Sequence, residues 1–173
     1  RACPWDEIWG AMESLRGQGK VIYVGSSNFA GWDIATGCQE ASRRGLAGLA
    51  SEQSVYNLNN RTVELEVIPA CRHYGMGLIP WSPLAGGWLT GKYRRNQPPP
   101  PDSRVGRADR WDDQPDQREN EQTWQIVDVL LELAAARSKT PAQIALNWVL
   151  RKPGVTAPIF GARTPSQLEQ NLG

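Results

Sequence analysis

Four short apolar runs end in residues that could grip a flat, polar ligand. The first delivers Ser26, Ser27 and Asn28, and the second Glu52 and Gln53 with Tyr56 close behind. The third delivers Trp81, Ser82, Pro83 and Leu84, and the last Gly161, Ala162 and Arg163. The side-chain amides of Asn28 and Gln53 each carry a donor and an acceptor, the pattern a carboxamide needs in a partner. Trp81 offers a ring face for stacking. Arg163 stands just before a predicted helix, where unpaired N–H groups and the helix dipole already favour an anion. No histidine lies at any of these ends. The set describes a nucleotide cofactor site better than a sugar or metal site.

The same residue types have plainer uses. Ser26-Ser27-Asn28 has the chemistry of a helix N-cap, and residue types alone leave the two readings level. Trp81 also suits core packing, and Lys92 and Arg104 taken singly are ordinary solvated charges. His73, the sole histidine, falls near a predicted helix end and reads as a surface residue. Tyr56 could act as a proton donor, but no lysine partner follows at another strand end. Trp5, Trp9, Trp124 and Trp148 fall on predicted helices, whereas Trp32, Trp88 and Trp111 fall near the strand ends. Of these, Trp88 is expected to touch substrate.

These residues need a scaffold that sets strand ends side by side. Pro4 with Asp6 and Glu7 marks a first helical turn, and apolar residues then recur at helical spacing to Leu15. Residues 21–24 are too short for a helix and rich in β-branched side chains, which predicts a buried strand. The order then repeats: helix 31–44, strand 48–53, helix 63–74, strand 76–81, helices 119–138 and 141–151, strand 155–160, and a helix from 165. Alternating buried strands and amphipathic helices predict an α/β fold with a parallel sheet. No dinucleotide-fold glycine fingerprint follows a strand. A TIM (β/α)8 barrel fits better, and four strand–helix units make roughly half of one. Residues 93–118, with four consecutive prolines and patches of arginine, read as a long flap over a site.

The 173 residues fit one domain, and 40% are hydrophobic, enough for a core. With 19 Lys+Arg against 18 Asp+Glu, the chain carries no electrostatic footprint for nucleic acid or an anionic membrane. No apolar run reaches the ~18–20 residues that span a bilayer. Cys3, Cys38 and Cys71 are odd in number and lack a CxxC spacing, against a disulfide framework or zinc site. Reduced thiols suit the cytoplasm. The chain opens at Arg1 and stops just after a helix begins, so the rest of the barrel is expected upstream. An isolated half barrel would expose sheet edges and self-associate.

The stretches GKVIYVGSSNF, SEQSVYNL, PWSPLAGGWLTGKY, TPAQIALNWVL and PIFGARTPSQLEQN, in this order, resemble the second half of aldo-keto reductases. The similarity runs from near Pro4 to Gly173, and the branch is that of bacterial enzymes similar to the potassium-channel β-subunit. The resemblance implies a TIM-barrel oxidoreductase that uses NADPH to reduce aldehydes and ketones. It implies that Ser27, Asn28 and Gln53 hold the nicotinamide carboxamide and that Trp81 stacks on the ring. Ser82, Leu84 and Gly86, with Pro83 and Gly161 beside them, would line the pyrophosphate. Lys92 and Arg104 would approach the phosphates from the flap. Arg163, Gln167, Gln170 and Asn171 would hold the adenosine end. Some members carry Ser where Arg163 stands and Glu where Gln170 stands. The family's catalytic Asp, Tyr, Lys and His belong to the first four strands, and no residue here matches them.

Overall fold

A computed structural model describes residues 3–107 and 119–173, in two units. Residues 108–118, which include the flap's distal part and Trp111, lie outside the described residues.

The first unit comprises residues 3–55, Thr62–Ile79 and Pro153–Ala157. Helix α1 (Trp5–Gly17) starts at Pro4 with Asp6 and Glu7 in its first turn, where they oppose the helix dipole. Its Trp9 is buried and donates from Nε1 to the Gly37 carbonyl at 2.9 Å. Strand β1 (Val24–Ser27) leads to α2 (Gly31–Arg43), then to β2 (Leu49–Val55). A 3-10 turn (Thr62–Glu64) precedes α3 (Val67–His73), which feeds β3 (Gly77–Trp81). The sheet has the order β1-β2-β3, and β1 runs parallel to β2 with Ser26 opposite Glu52 and Ser27 opposite Gln53. Ile34, Cys38, Ala41, Leu49, Val67, Cys71, Met76 and Leu78 fill the core.

The first strand departs from expectation. It begins at Val24, and Ile22 and Tyr23 are 73% and 77% exposed. The cause is pairing. Gly48 takes a left-handed conformation (φ +79), β2 begins after it at Leu49, and Leu49 already faces Val24. No residue of β2 remains to pair with 21–23. The helix expected over 63–74 is likewise divided, into the 3-10 turn and α3.

The second unit comprises Tyr56–Arg61, Pro80–Lys152 save for 108–118, and Pro158–Gly173. A 3-10 segment (Ala85–Thr90) follows β3. Helix α4 (Glu121–Arg137) is N-capped by Asn120, whose Oδ1 accepts from the Thr123 N–H at 2.9 Å, and ends at Ser138 in a left-handed conformation. Helix α5 (Pro141–Leu150) starts in a reciprocal capping box between Thr140 and Gln143. Helix α6 (Pro165–Leu172) is capped by Thr164. Trp88, Leu89, Tyr93, Trp124, Leu130 and Ala145 pack into its core.

The fourth strand, expected at 155–160, is replaced by two isolated parallel bridges. Leu78 pairs with Val155 in the first unit, and Trp81 with Ile159 in the second. The backbone explains the interruption. Pro80 and Pro158 lack an N–H, so the ladder loses a donor on each side. The Ile159 N–H still reaches the Pro80 carbonyl at 2.7 Å, and the Thr156 N–H reaches that of Leu78 at 2.8 Å.

Candidate functional site

In the first unit, the parallel register of β1 and β2 gathers Ser27, Asn28 and Gln53. The Ser27 hydroxyl donates to the Gln53 carbonyl at 3.0 Å, and the Asn28 amide Nδ2 donates to Ser27 Oγ at 3.3 Å. The Asn28 backbone N–H also donates to the Gln53 carbonyl, at 3.0 Å. Asn28 has φ 55°, a left-handed conformation that asparagine tolerates better than most side chains. The capping reading of this tripeptide does not hold: α2 starts at Gly31 with Ala30 as its N-cap and no side-chain cap.

In the second unit, a cleft of about 790 Å³ opens between the loop after β3, the root of the flap and the starts of α5 and α6. Its volume falls within the roughly 300–1,000 Å³ of ligand sites. Trp81, Ser82, Pro83, Leu84, Gly86, Lys92, Arg104, Gly161, Arg163, Gln167, Gln170 and Asn171 all line it. Every residue of the second unit that the resemblance assigns to the cofactor therefore lines one cavity.

The cleft is cationic. Lys92, Arg104, Arg107 and Arg163 line it, and among the described residues no aspartate or glutamate does. The Lys92 ammonium is held below the usual lysine range, first by desolvation and then by the Arg163 and Arg104 charges, with Asp102 opposing. Like charges gathered at a concave surface favour an anion. The residues fit a polyanion of dinucleotide size.

The loop after β3 is shaped by left-handed backbone at Ser82 (φ 54), Ala85 (φ 49), Gly86 (φ 67) and Gly87 (φ 99). Such conformations at non-glycine residues carry strain and concentrate at functional sites. A Cβ at Gly87 would lie 2.7 Å from Lys92 Nζ, so the glycine leaves room for the ammonium. Buried Asn57 fastens the loop, donating from Nδ2 to the Ser82 carbonyl at 3.0 Å while its Oδ1 accepts the Asn59 and Asn60 N–H groups. At the far wall, the Arg163 N–H donates to Gln167 Oε1 at 2.9 Å and the Gln167 N–H donates to Thr164 Oγ1 at 3.2 Å. These bonds fix the entry to α6.

The sequence matches the Aldo/keto reductase family over residues 1–173. The chain belongs to that family. It is 43% identical over 172 residues to an uncharacterized oxidoreductase, YrpG, of Bacillus subtilis, covering 99% of this chain and 49% of that protein. It is 33% identical to the versiconal hemiacetal acetate reductase of Aspergillus parasiticus, covering 98% of this chain and 48% of that one. It is 34% identical to a probable voltage-gated potassium channel subunit beta of Oryza sativa subsp. japonica, covering 98% and 51%. The chain spans about half the length of the curated relatives it matches.

Other parts of this aldo/keto reductase chain correct or extend the sequence reading. Trp88 is not at a substrate face: it is 4% exposed, with its ring 4.7 Å from Tyr93 and 5.5 Å from Trp124. Tyr56 is fully buried against Trp148 at 5.5 Å. His73 is exposed, as expected. Burial raises the Cys38 thiol, and burial with the Glu52 and Cys38 charges lifts Cys71 to about 11, so both are poor nucleophiles. Among the described residues no His, Cys, Asp or Glu cluster could hold a metal ion, and no helix is long and apolar enough to cross a membrane. Arg107, Thr140, Pro141 and Phe160 line the cleft without having been nominated. Arg107 had a signal in the basic flap. Thr140-Pro141 had one as a capped helix start, the position where anions bind.

Proposed function

We propose that the protein carrying this chain is an NADP(H)-dependent oxidoreductase that reduces aldehydes and ketones to alcohols. This chain forms the cofactor-binding half of its (β/α)8 barrel. The observation that carries the reading is the cleft lined by four cations, Lys92, Arg104, Arg107 and Arg163, in a chain of this family. Ser27, Asn28 and Gln53 serve as the carboxamide contacts and Trp81 as the nicotinamide platform. The loop from Ser82 to Gly86 and the cations Lys92 and Arg104 serve the phosphates. Arg163, Gln167, Gln170 and Asn171 serve the adenosine end. When bound, NADPH would supply the hydride. This chain's residues bind and orient, and none is assigned a proton-transfer role. The reading carries a small carbonyl substrate, no nucleic-acid or membrane partner, and a cytoplasmic location. It also carries self-association of the isolated chain through the open half barrel.

The test is a fluorescence titration with NADPH and NADH, followed by NADPH oxidation in the presence of 4-nitrobenzaldehyde. Tighter binding of NADPH with measurable turnover supports the reading, and absence of NADPH binding sinks it. A second reading, an NADP(H)-binding subunit without turnover, is favoured by the likeness to a protein named as a potassium channel subunit beta. Binding of NADPH with no oxidation by any reactive aldehyde would select it.

A further inference from the structure

Glu52 sits on β2 with 0% exposure. Its Oε2 accepts from the Ser26 hydroxyl at 2.5 Å, and its Oε1 accepts from the Ser54 hydroxyl at 2.5 Å and the Phe29 N–H at 3.2 Å. Among the described residues no lysine or arginine pairs with it. A buried carboxylate is costly unless hydrogen-bonded. The three donors therefore suggest what the carboxylate is for. Ser26 and Phe29 bracket Ser27 and Asn28, so one side chain holds both ends of that dipeptide. The next residue of β2 completes the hold, because the Gln53 carbonyl accepts the Asn28 N–H at 3.0 Å. Consecutive residues of β2 thus take the consecutive N–H groups of Asn28 and Phe29, across a residue at φ 55°.

We propose that Glu52 is a positioning residue, whose carboxylate locks the left-handed turn carrying Ser27 and Asn28 and so sets their contacts with a carboxamide. The proposal rests on the dinucleotide reading above. Glutamine in its place has one acceptor oxygen instead of two. That oxygen can serve Phe29 and Ser54 only if the NH2 faces Ser26, which must then turn its hydroxyl from donor to acceptor. The bracket loosens at β1 while the side-chain volume is kept.

The test compares two ligands on the full protein. NADPH carries a nicotinamide; adenosine 2′,5′-bisphosphate does not. Glu52→Gln is expected to weaken NADPH about tenfold, the effect of about 1.4 kcal/mol, and to change the bisphosphate less than about twofold. Equal loss for both ligands would make Glu52 a general structural residue and overturn the proposal, as would no loss for either. If wild type binds neither ligand, the dinucleotide reading falls and this inference with it. Should Glu52→Gln not fold by circular dichroism, Ser26→Ala leaves the carboxylate in place and removes its β1 donor. The same selective loss, about threefold, is then expected, and an unselective or absent loss overturns the proposal.

Discussion

Replacing Lys92 by methionine separates binding from stability with opposite expectations. In the ligand-free chain Lys92 is an exposed residue of the cleft, and its ammonium is disfavoured by partial desolvation and by Arg163 and Arg104, and compensated by the Tyr93 ring 5.2 Å below it. A cation–π contact at an exposed site contributes about 0.5–1 kcal/mol. The repulsion, discounted for solvent screening, is of the same order. The two offset, and methionine keeps the aliphatic stem, so the melting temperature should move by no more than about 4 °C. Binding a phosphate reverses the balance. An ion pair at 4 Å is worth about 4 kcal/mol at an effective dielectric of 20, and exposure reduces this to about 1–2 kcal/mol. Lys92→Met should therefore weaken NADPH about fivefold to thirtyfold. Affinity measured by fluorescence at several salt concentrations should also show a shallower salt slope in the variant. The pH dependence of the ligand-free protein follows from linkage. The folded pKa lies below the unfolded one, so between them the unfolded chain binds more protons and stability rises with pH. The penalty is fully present below the lowered pKa and relieved as pH climbs through it towards the ordinary lysine value, and Lys92→Met should abolish that rise. An unchanged NADPH affinity with an unchanged salt slope would refute the assignment of the cleft to phosphate.

Gly87→Ala should destabilise the protein by about 1–2 kcal/mol in thermal denaturation, because φ is +99 and the new Cβ would meet Lys92 Nζ at 2.7 Å; it should also weaken NADPH by displacing that ammonium. Arg95→Ala removes bonds to Glu121 at 2.7 Å and Asp128 at 3.2 Å and a stack over Trp124 at 5.6 Å. The resulting small loss in melting temperature should shrink in high salt, and a salt-independent loss would assign the effect to packing. With a thiol reagent at pH 8, partly exposed Cys3 should react promptly, and buried Cys38 and Cys71, with its pKa near 11, only at the rate of unfolding.

Legibility followed how local the deciding interactions were. Loop residues such as Ser82, Leu84 and Arg163 were readable because they sit in short stretches whose turns and helix starts are written nearby, and the structure brings them to one cleft. Ser27, Asn28 and Gln53 were readable as strand-end residues, and the register places Ser27 opposite Gln53. What the sequence hid depends on partners distant along the chain. Val21, Ile22 and Tyr23 have the composition of a strand, but a strand needs a neighbour of matching reach, and β2 begins too late. The run 155–160 has the same composition, and its ladder fails at Pro158 and at Pro80 in the opposite strand. Trp88 looked like a substrate residue because it follows a strand end; only the fold shows Tyr93 and Trp124 closing over its ring. Glu52 was visible as a strand-end residue, but its supporting part was not. That part lies in three donors contributed by β1, β2 and the turn between β1 and α2. A side chain that acts by holding others carries no motif of its own, so the supporting residues of a site are the ones a single sequence conceals.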